Sequence, residues 1–156
     1  MANAPSAGMQ RLIDVVAQLR DPTTGCPWDL EQTHASLVPY VLEEAHEVAD
    51  AIRHGDDNHL KEELGDLLLQ VVLHAQIAGE EQRFDLDAIA DGISDKLIRR
   101  HPHLFGDAAC TSSDDVRRSW DAIKLQEQAE ALAGSSSPLS DLSEPRCAGY
   151  PLWQER

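Results

Sequence analysis

The segment that most constrains this chain is residues 67–73, a run of leucines and valines interrupted only by Gln70 and preceded by EELGD. At about 100° per residue, Leu67, Leu68, Leu69, Val71, Val72 and Leu73 place apolar groups on nearly every side of a helix. A helix of that kind is buried in a core or in an interface between subunits. The run is far too short to span a bilayer. It also sets Glu63 and Asp66 beside an apolar environment, where at least one of them should be desolvated. Carboxylates gathered near a core are unfavourable unless protonated, paired or bound to a cation.

The rest of the chain repeats apolar residues at helical spacing, and strand alternation is scarce. Leu12, Val15, Val16 and Leu19 form one face of a first helix, stopped by Asp21-Pro22. The segment DPTTGCPWDLEQT, punctuated by Pro22, Gly25 and Pro27, reads as an ordered loop. Ser36 is expected to cap a second helix that carries Val41, Ala45, Val48, Ala49 and Ile52 on one face and stops at Gly55. Asp56-Asp57 opens a third helix reaching about Glu80. Asp85 caps a fourth, with Leu86, Ile89, Ala90, Ile93 and Leu97, that ends at Pro102. A fifth begins after Ser112 or Ser113 and carries Val116, Trp120 and Ile123. Residues 134–156 are Ser/Pro-rich and aperiodic, and are expected to form a mobile tail. The expectation is an all-α helical bundle over residues 8–133, oligomeric because the third helix is too apolar for a small bundle to cover.

The turn at Asp56 is short, so the second and third helices should pair as an antiparallel αα-hairpin. Glu43, Glu44 and Glu47 share one sector of the first partner, and Glu63 and Asp66 lie about 60° apart on the other. Counted from the turn at 1.5 Å per residue, Glu47 and Glu63 lie roughly 13 and 10 Å away, and Glu44 and Asp66 roughly 18 and 15 Å. The two acidic sets therefore reach the same level. Gly65, unfavourable inside a helix by roughly 1 kcal/mol, falls between the acids, where close approach of a helix or ligand would be useful. On the residues alone, a solvated acidic face and a site for a hard divalent cation such as Mg²⁺ both stand.

With 13 Lys+Arg against 28 Asp+Glu, the net charge is −15 and the pI about 4.6. Such a surface repels phosphate backbones and argues against a nucleic-acid polymer as partner. Cys26, Cys110 and Cys147 have no CxxC spacing, which removes a disulfide framework and a structural zinc site. The N-terminus has no basic and apolar signal regions, so a cytoplasmic protein without membrane attachment is expected.

EEAHE followed by EELGD resembles the EExxE…ExxD signature of the MazG-like nucleoside triphosphate pyrophosphohydrolases. The likeness extends through GCPWDLEQTHASLVPYVLEEAHEVADAI, DKLIRRHPHLFG and SWDAIK, over roughly residues 12–124. The resemblance implies an α-helical fold, assembled as a homodimer or a dimer of dimers. It implies Mg²⁺-dependent cleavage of a nucleoside triphosphate to the monophosphate and pyrophosphate, with Mn²⁺ as a substitute. It places the metal ligands on Glu44, Glu47, Glu63 and Asp66, and makes Glu43 a candidate to orient or deprotonate water. Lys96, Arg99 and Arg100 match the family's basic element, and Trp120 and Lys124 an element implicated in nucleotide contact. Well-known members carry two such domains, and here the Ser/Pro-rich segment stands in place of the second. Two other readings remain. One is an acidic helical interaction module. The other is a di-iron carboxylate bundle, since Glu43 to His46 spells Glu-x-x-His, but the second copy, Glu31 to His34, falls in the expected loop and not on a partner core helix.

Overall fold

A computed structural model describes residues 6–134, so the segment expected to be a tail lies, beyond Gly134, outside the described residues. All regular structure among the described residues is helical. The elements are α1 (Ala7–Leu19), α2 (Pro27–Glu31), α3 (Val38–His54), α4 (Asp57–Glu80), α5 (Leu86–Arg100), α6 (Pro102–Phe105) and α7 (Ser113–Gly134). None of these helices is long and apolar enough to cross a membrane. The chain divides into two compact units between Lys96 and Leu97.

In the first unit, α4 is the element that the others cover, packing against both α3 and α1. Its start is set locally. The Asp56 carboxylate accepts hydrogen bonds from the N–H groups of Asn58 and His59, at 2.9 and 3.3 Å. One residue earlier, Gly55 ends α3 in the left-handed conformation, φ +72°, where a side chain would be strained. The core gathers Val16, Leu37, Val72, Leu73 and Ile77, with Leu12, Ile13, Leu68, Leu69 and Leu86 packed against it. Burying each such side chain contributes about 1.5–3 kcal/mol.

Several local expectations change. The segment after Asp21 is not all loop: Pro27 starts the short helix α2, its ring suited to a first-turn position that needs no N–H donor. Ser36 is not the cap of α3. Its hydroxyl accepts from the Thr33 N–H (2.9 Å) and donates to Gln32 (2.8 Å), closing the preceding turn, while Leu37 takes the cap position. On α3 the buried residue is Ala51, whereas Ala45 and Ile52 are exposed, Ile52 by 60%. Leu67, Leu68 and Leu69 are half-buried and Val71 is exposed, so the chain covers less of the apolar run than expected. Gly65 meets no close neighbour: a Cβ there would have nothing within 4 Å.

Arg20 closes the 21–32 segment. It is 9% exposed, donates to Glu80 through Nε (2.9 Å) and Nη2 (2.7 Å), and reaches the carbonyls of Asp29 and Gln32 through Nη1. The pair holds the Glu80 carboxyl below its usual value, chiefly through that hydrogen bond.

The second unit holds the end of α5, then α6 and α7. Pro102 ends α5, as expected, and starts α6, which was not expected. Ser112 accepts from the Asp115 N–H (3.2 Å) at the start of α7. Arg118, Ser112 and Thr111 hold the Asp115 carboxyl down at about 2. Val116, Trp120 and Ile123 are half-buried, and no residue of α6 or α7 is fully buried.

Candidate metal centre and basic element

The pairing of α3 with α4 brings three of the sequence-predicted carboxylates together. Glu44, Glu63 and Asp66 each offer an oxygen within 4.8 Å of the others. Glu63 is 7% exposed, Glu44 half-buried and Asp66 exposed. Glu47 is exposed and stands outside that trio, acting on Glu63 as a neighbouring acid. Glu43 is exposed on the same helix and acts on Glu44 through charge. His59, one turn before Glu63 on α4, places Nδ1 3.2 Å from Glu63 Oε1.

Electrostatics follow from that crowding. Burial pushes the Glu44 carboxyl above its ordinary value, and the charges of Asp66, Glu47, Glu43 and Glu63 add to it. Burial also raises Glu63, aided by the neighbouring Glu47 carboxyl and opposed by the charge of His59. Glu63 Oε2 is buried and has no hydrogen-bond partner. A buried carboxylate oxygen left unsatisfied among like charges is unfavourable, and a hard cation relieves both defects at once. The donor set fits such an ion: carboxylate oxygens only, with no thiol or imidazole in the cluster. His46 turns its Nδ1 to the Leu42 carbonyl (2.5 Å), and His34 pairs with His74, so neither Glu-x-x-His histidine joins these acids.

The basic residues expected to meet phosphate are differently engaged. Arg99 and Arg100 both pair with Glu127 at 2.6 Å. The Arg100 guanidinium also lies 5.6 Å from the centre of the Trp120 ring, with His101 edge-on to that ring at 4.9 Å. Lys124 is 3.7 Å from Asp121, a loose pair on one helix. Lys96, on α5, is exposed.

Residues 32–105 match the MazG nucleotide pyrophosphohydrolase domain. The chain carries a MazG domain. The match encloses α3, α4 and all four carboxylates expected to bind metal. The chain is 52% identical over 128 residues to a nucleoside triphosphate pyrophosphohydrolase of Escherichia coli, covering 82% of this chain and 49% of that protein. It is 46% identical over 133 residues to the nucleoside triphosphate pyrophosphohydrolase/pyrophosphatase MazG of Thermotoga maritima, covering 85% and 50%. The chain thus spans about half the length of these relatives. Among solved structures, a mazG-related protein from Thermotoga maritima superposes with a TM-score of 0.61 at 28% identity, over 74% of this chain and 98% of that one. The MazG assignment agrees with the acidic signature from which the resemblance was drawn.

Three partners of this MazG domain escaped the sequence reading. His59 was signalled by its i,i+4 spacing to Glu63. Glu127 and Arg20 act across 27 or more residues and leave no periodic trace.

Proposed function

We propose that this chain hydrolyses nucleoside triphosphates, ribo- or deoxyribo-, to the monophosphate and pyrophosphate with Mg²⁺ or Mn²⁺. The observation that carries the reading is Glu63: a buried carboxylate with one unpartnered oxygen, within 4.8 Å of Glu44 and Asp66 oxygens. Glu44, Glu47, Glu63 and Asp66 would hold the metal, which when bound neutralises the triphosphate and polarises its phosphoryl oxygens. Glu43, exposed beside Glu44, orients a water and accepts its proton. The water oxygen bonds to the α-phosphorus, the α–β anhydride bond breaks, and pyrophosphate leaves. Lys96, Arg99, Arg100 and Lys124 supply positive charge to the phosphates, and Trp120 offers a ring face to the base.

The same reading places the enzyme in the cytoplasm, with residues 8–133 as the working domain, α3 and α4 as an antiparallel hairpin, and the chain as a homodimer or dimer of dimers. Exposed Val38, Leu42 and Ile52 on α3 and Leu64 and Val71 on α4 support a second copy as their cover. Incubating the chain with a panel of NTPs and dNTPs, with Mg²⁺ or with EDTA, tests the chemistry. NMP and pyrophosphate are expected with Mg²⁺ only; NDP and orthophosphate as products would overturn the assignment to the α-phosphorus.

A further inference from the structure

Arg99 and Arg100 are consecutive on α5, so their side chains leave the helix about 100° apart and would diverge if nothing drew them together. Glu127, on α7, does so with a single carboxylate. Its Oε1 accepts from Arg99 Nε at 2.6 Å, while Oε2 accepts from Arg100 Nη2 at 2.6 Å and Arg100 Nε at 3.2 Å. The arrangement leaves a defined set of donors over. Among the described residues, Arg99 Nη1 and Nη2 and Arg100 Nη1 have no partner. Arg100 is the anchored member, its side chain 14% exposed against Trp120, and Arg99 the outward one, 55% exposed. The two arginines hold the Glu127 carboxyl down at about 2, so it stays ionised at any working pH.

We infer that Glu127 is a positioning residue that assembles Arg99 and Arg100 into one phosphate-binding fork, taking their inner donors and presenting the outer ones to the substrate's phosphate chain. The fork keeps a net charge of +1, two guanidiniums against one carboxylate, in an otherwise acidic chain. Preorganised guanidiniums lose less freedom on gripping a phosphate than two independent side chains would. This inference rests on the proposal that these arginines meet the triphosphate.

The test is calorimetric titration of the full chain with inorganic tripolyphosphate in metal-free buffer. Glu127→Ala is expected to weaken binding about tenfold, the scale of one lost charge-assisted hydrogen bond. Glu127→Gln, which keeps the shape and one acceptor oxygen, should fall between. In turnover, KM for the NTP should rise about tenfold in Glu127→Ala with a smaller change in kcat, a split that general loosening of α7 would not produce. Circular dichroism checks helicity, and the Gln variant carries the test if the Ala variant does not fold. Unchanged or tighter tripolyphosphate binding on loss of Glu127 would overturn the inference, because the carboxylate would then be idle or a competitor of phosphate. A wild-type chain that binds no tripolyphosphate, or Arg99→Ala and Arg100→Ala variants that bind it normally, would overturn the phosphate reading and this inference with it.

Discussion

The two units of this chain are held together by different physics. In the first, order comes from burial: Val16, Leu37, Val72, Leu73 and Ile77 exclude water around α4, and the Arg20–Glu80 pair ties the 21–32 segment to the helix end. In the second, α6 and α7 bury no residue fully, and the visible organisers are charges: Glu127 with two arginines, Asp115 with Arg118, and Arg100 over Trp120. The carboxylates proposed to hold metal stand on the packed elements α3 and α4. The cationic groups that would follow a flexible triphosphate stand on elements held by ion pairs, which water and salt weaken.

The contrast is broken most directly by side-chain truncation. Leu37 is 1% exposed, and Leu37→Ala should cost about 3 kcal/mol of unfolding free energy, measured by urea denaturation. Leu125, 67% exposed on α7, should lose no more than about 0.5 kcal/mol when changed to Ala. A Leu125→Ala loss as large as that of Leu37→Ala would show that α7 is buried against another subunit, and the difference between the units would vanish.

A second prediction sets function against stability inside the packed unit. Glu44 and Glu63 have folded pKa values above the usual 4.5. Their contribution to stability is therefore fully present below pH 4.5 and is lost as pH rises through the folded values. Metal-free protein should lose stability on that limb, and Mg²⁺, which takes the place of the proton, should raise Tm more at pH 8 than at pH 5. Glu63→Gln should flatten the metal-free dependence and reduce the Mg²⁺-induced gain in Tm. It should also lower kcat/KM for NTP hydrolysis by on the order of 100-fold. Thermal scans with EDTA and with Mg²⁺ at both pH values check the first part, and pyrophosphate release the second.

Much of the first unit was legible because its signals are local. The Asp56 cap, the Gly55 stop and the i,i+3 spacing of Glu44 with Glu47 and of Glu63 with Asp66 are each complete within one or two turns of helix. What escaped is tertiary. Periodicity put Ile52 inside and left out Ala51, because the helix face that is buried depends on how α3 rotates against α4. Gly65 leaves room for a close approach, but no described residue comes within 4 Å of a Cβ built there. The acids were legible as a cluster, but the buried, unpartnered Glu63 oxygen on which the proposed cation site rests has no sequence signature. In the second unit Trp120 and the basic residues were legible as residue types, and their shared anchor Glu127 was not.

The smallest expected effect sharpens the view that the packed unit also contains polar order. His34, ahead of α3, lies beside His74 of α4 with the two rings nearly parallel, their centres 4.9 Å apart and an Nδ1–Nδ1 distance of 2.6 Å. Arg83, itself paired with Glu81 at 2.6 Å, points Nη2 at His34 Nε2, also at 2.6 Å. A guanidinium can only donate, so His34 Nε2 accepts; His34 Nδ1–H then donates to His74 Nδ1, and His74 carries its proton on Nε2. Adding a proton to either ring breaks one of these bonds and brings a new cation toward Arg83. Burial, with His34 contributing, correspondingly depresses the His74 pKa below 6.5. A depressed folded pKa means that the contribution is whole above pH 6.5 and is lost as pH falls through the folded value. His74→Leu should therefore narrow the fall in Tm between pH 7.5 and pH 5.5 relative to wild type. The effect should be small, because the pair is only half-buried and solvent screens it. Equal falls in the two proteins would mean that the histidine chain contributes nothing to folding, and would leave the Arg20–Glu80 pair as the polar tie of the 21–32 segment.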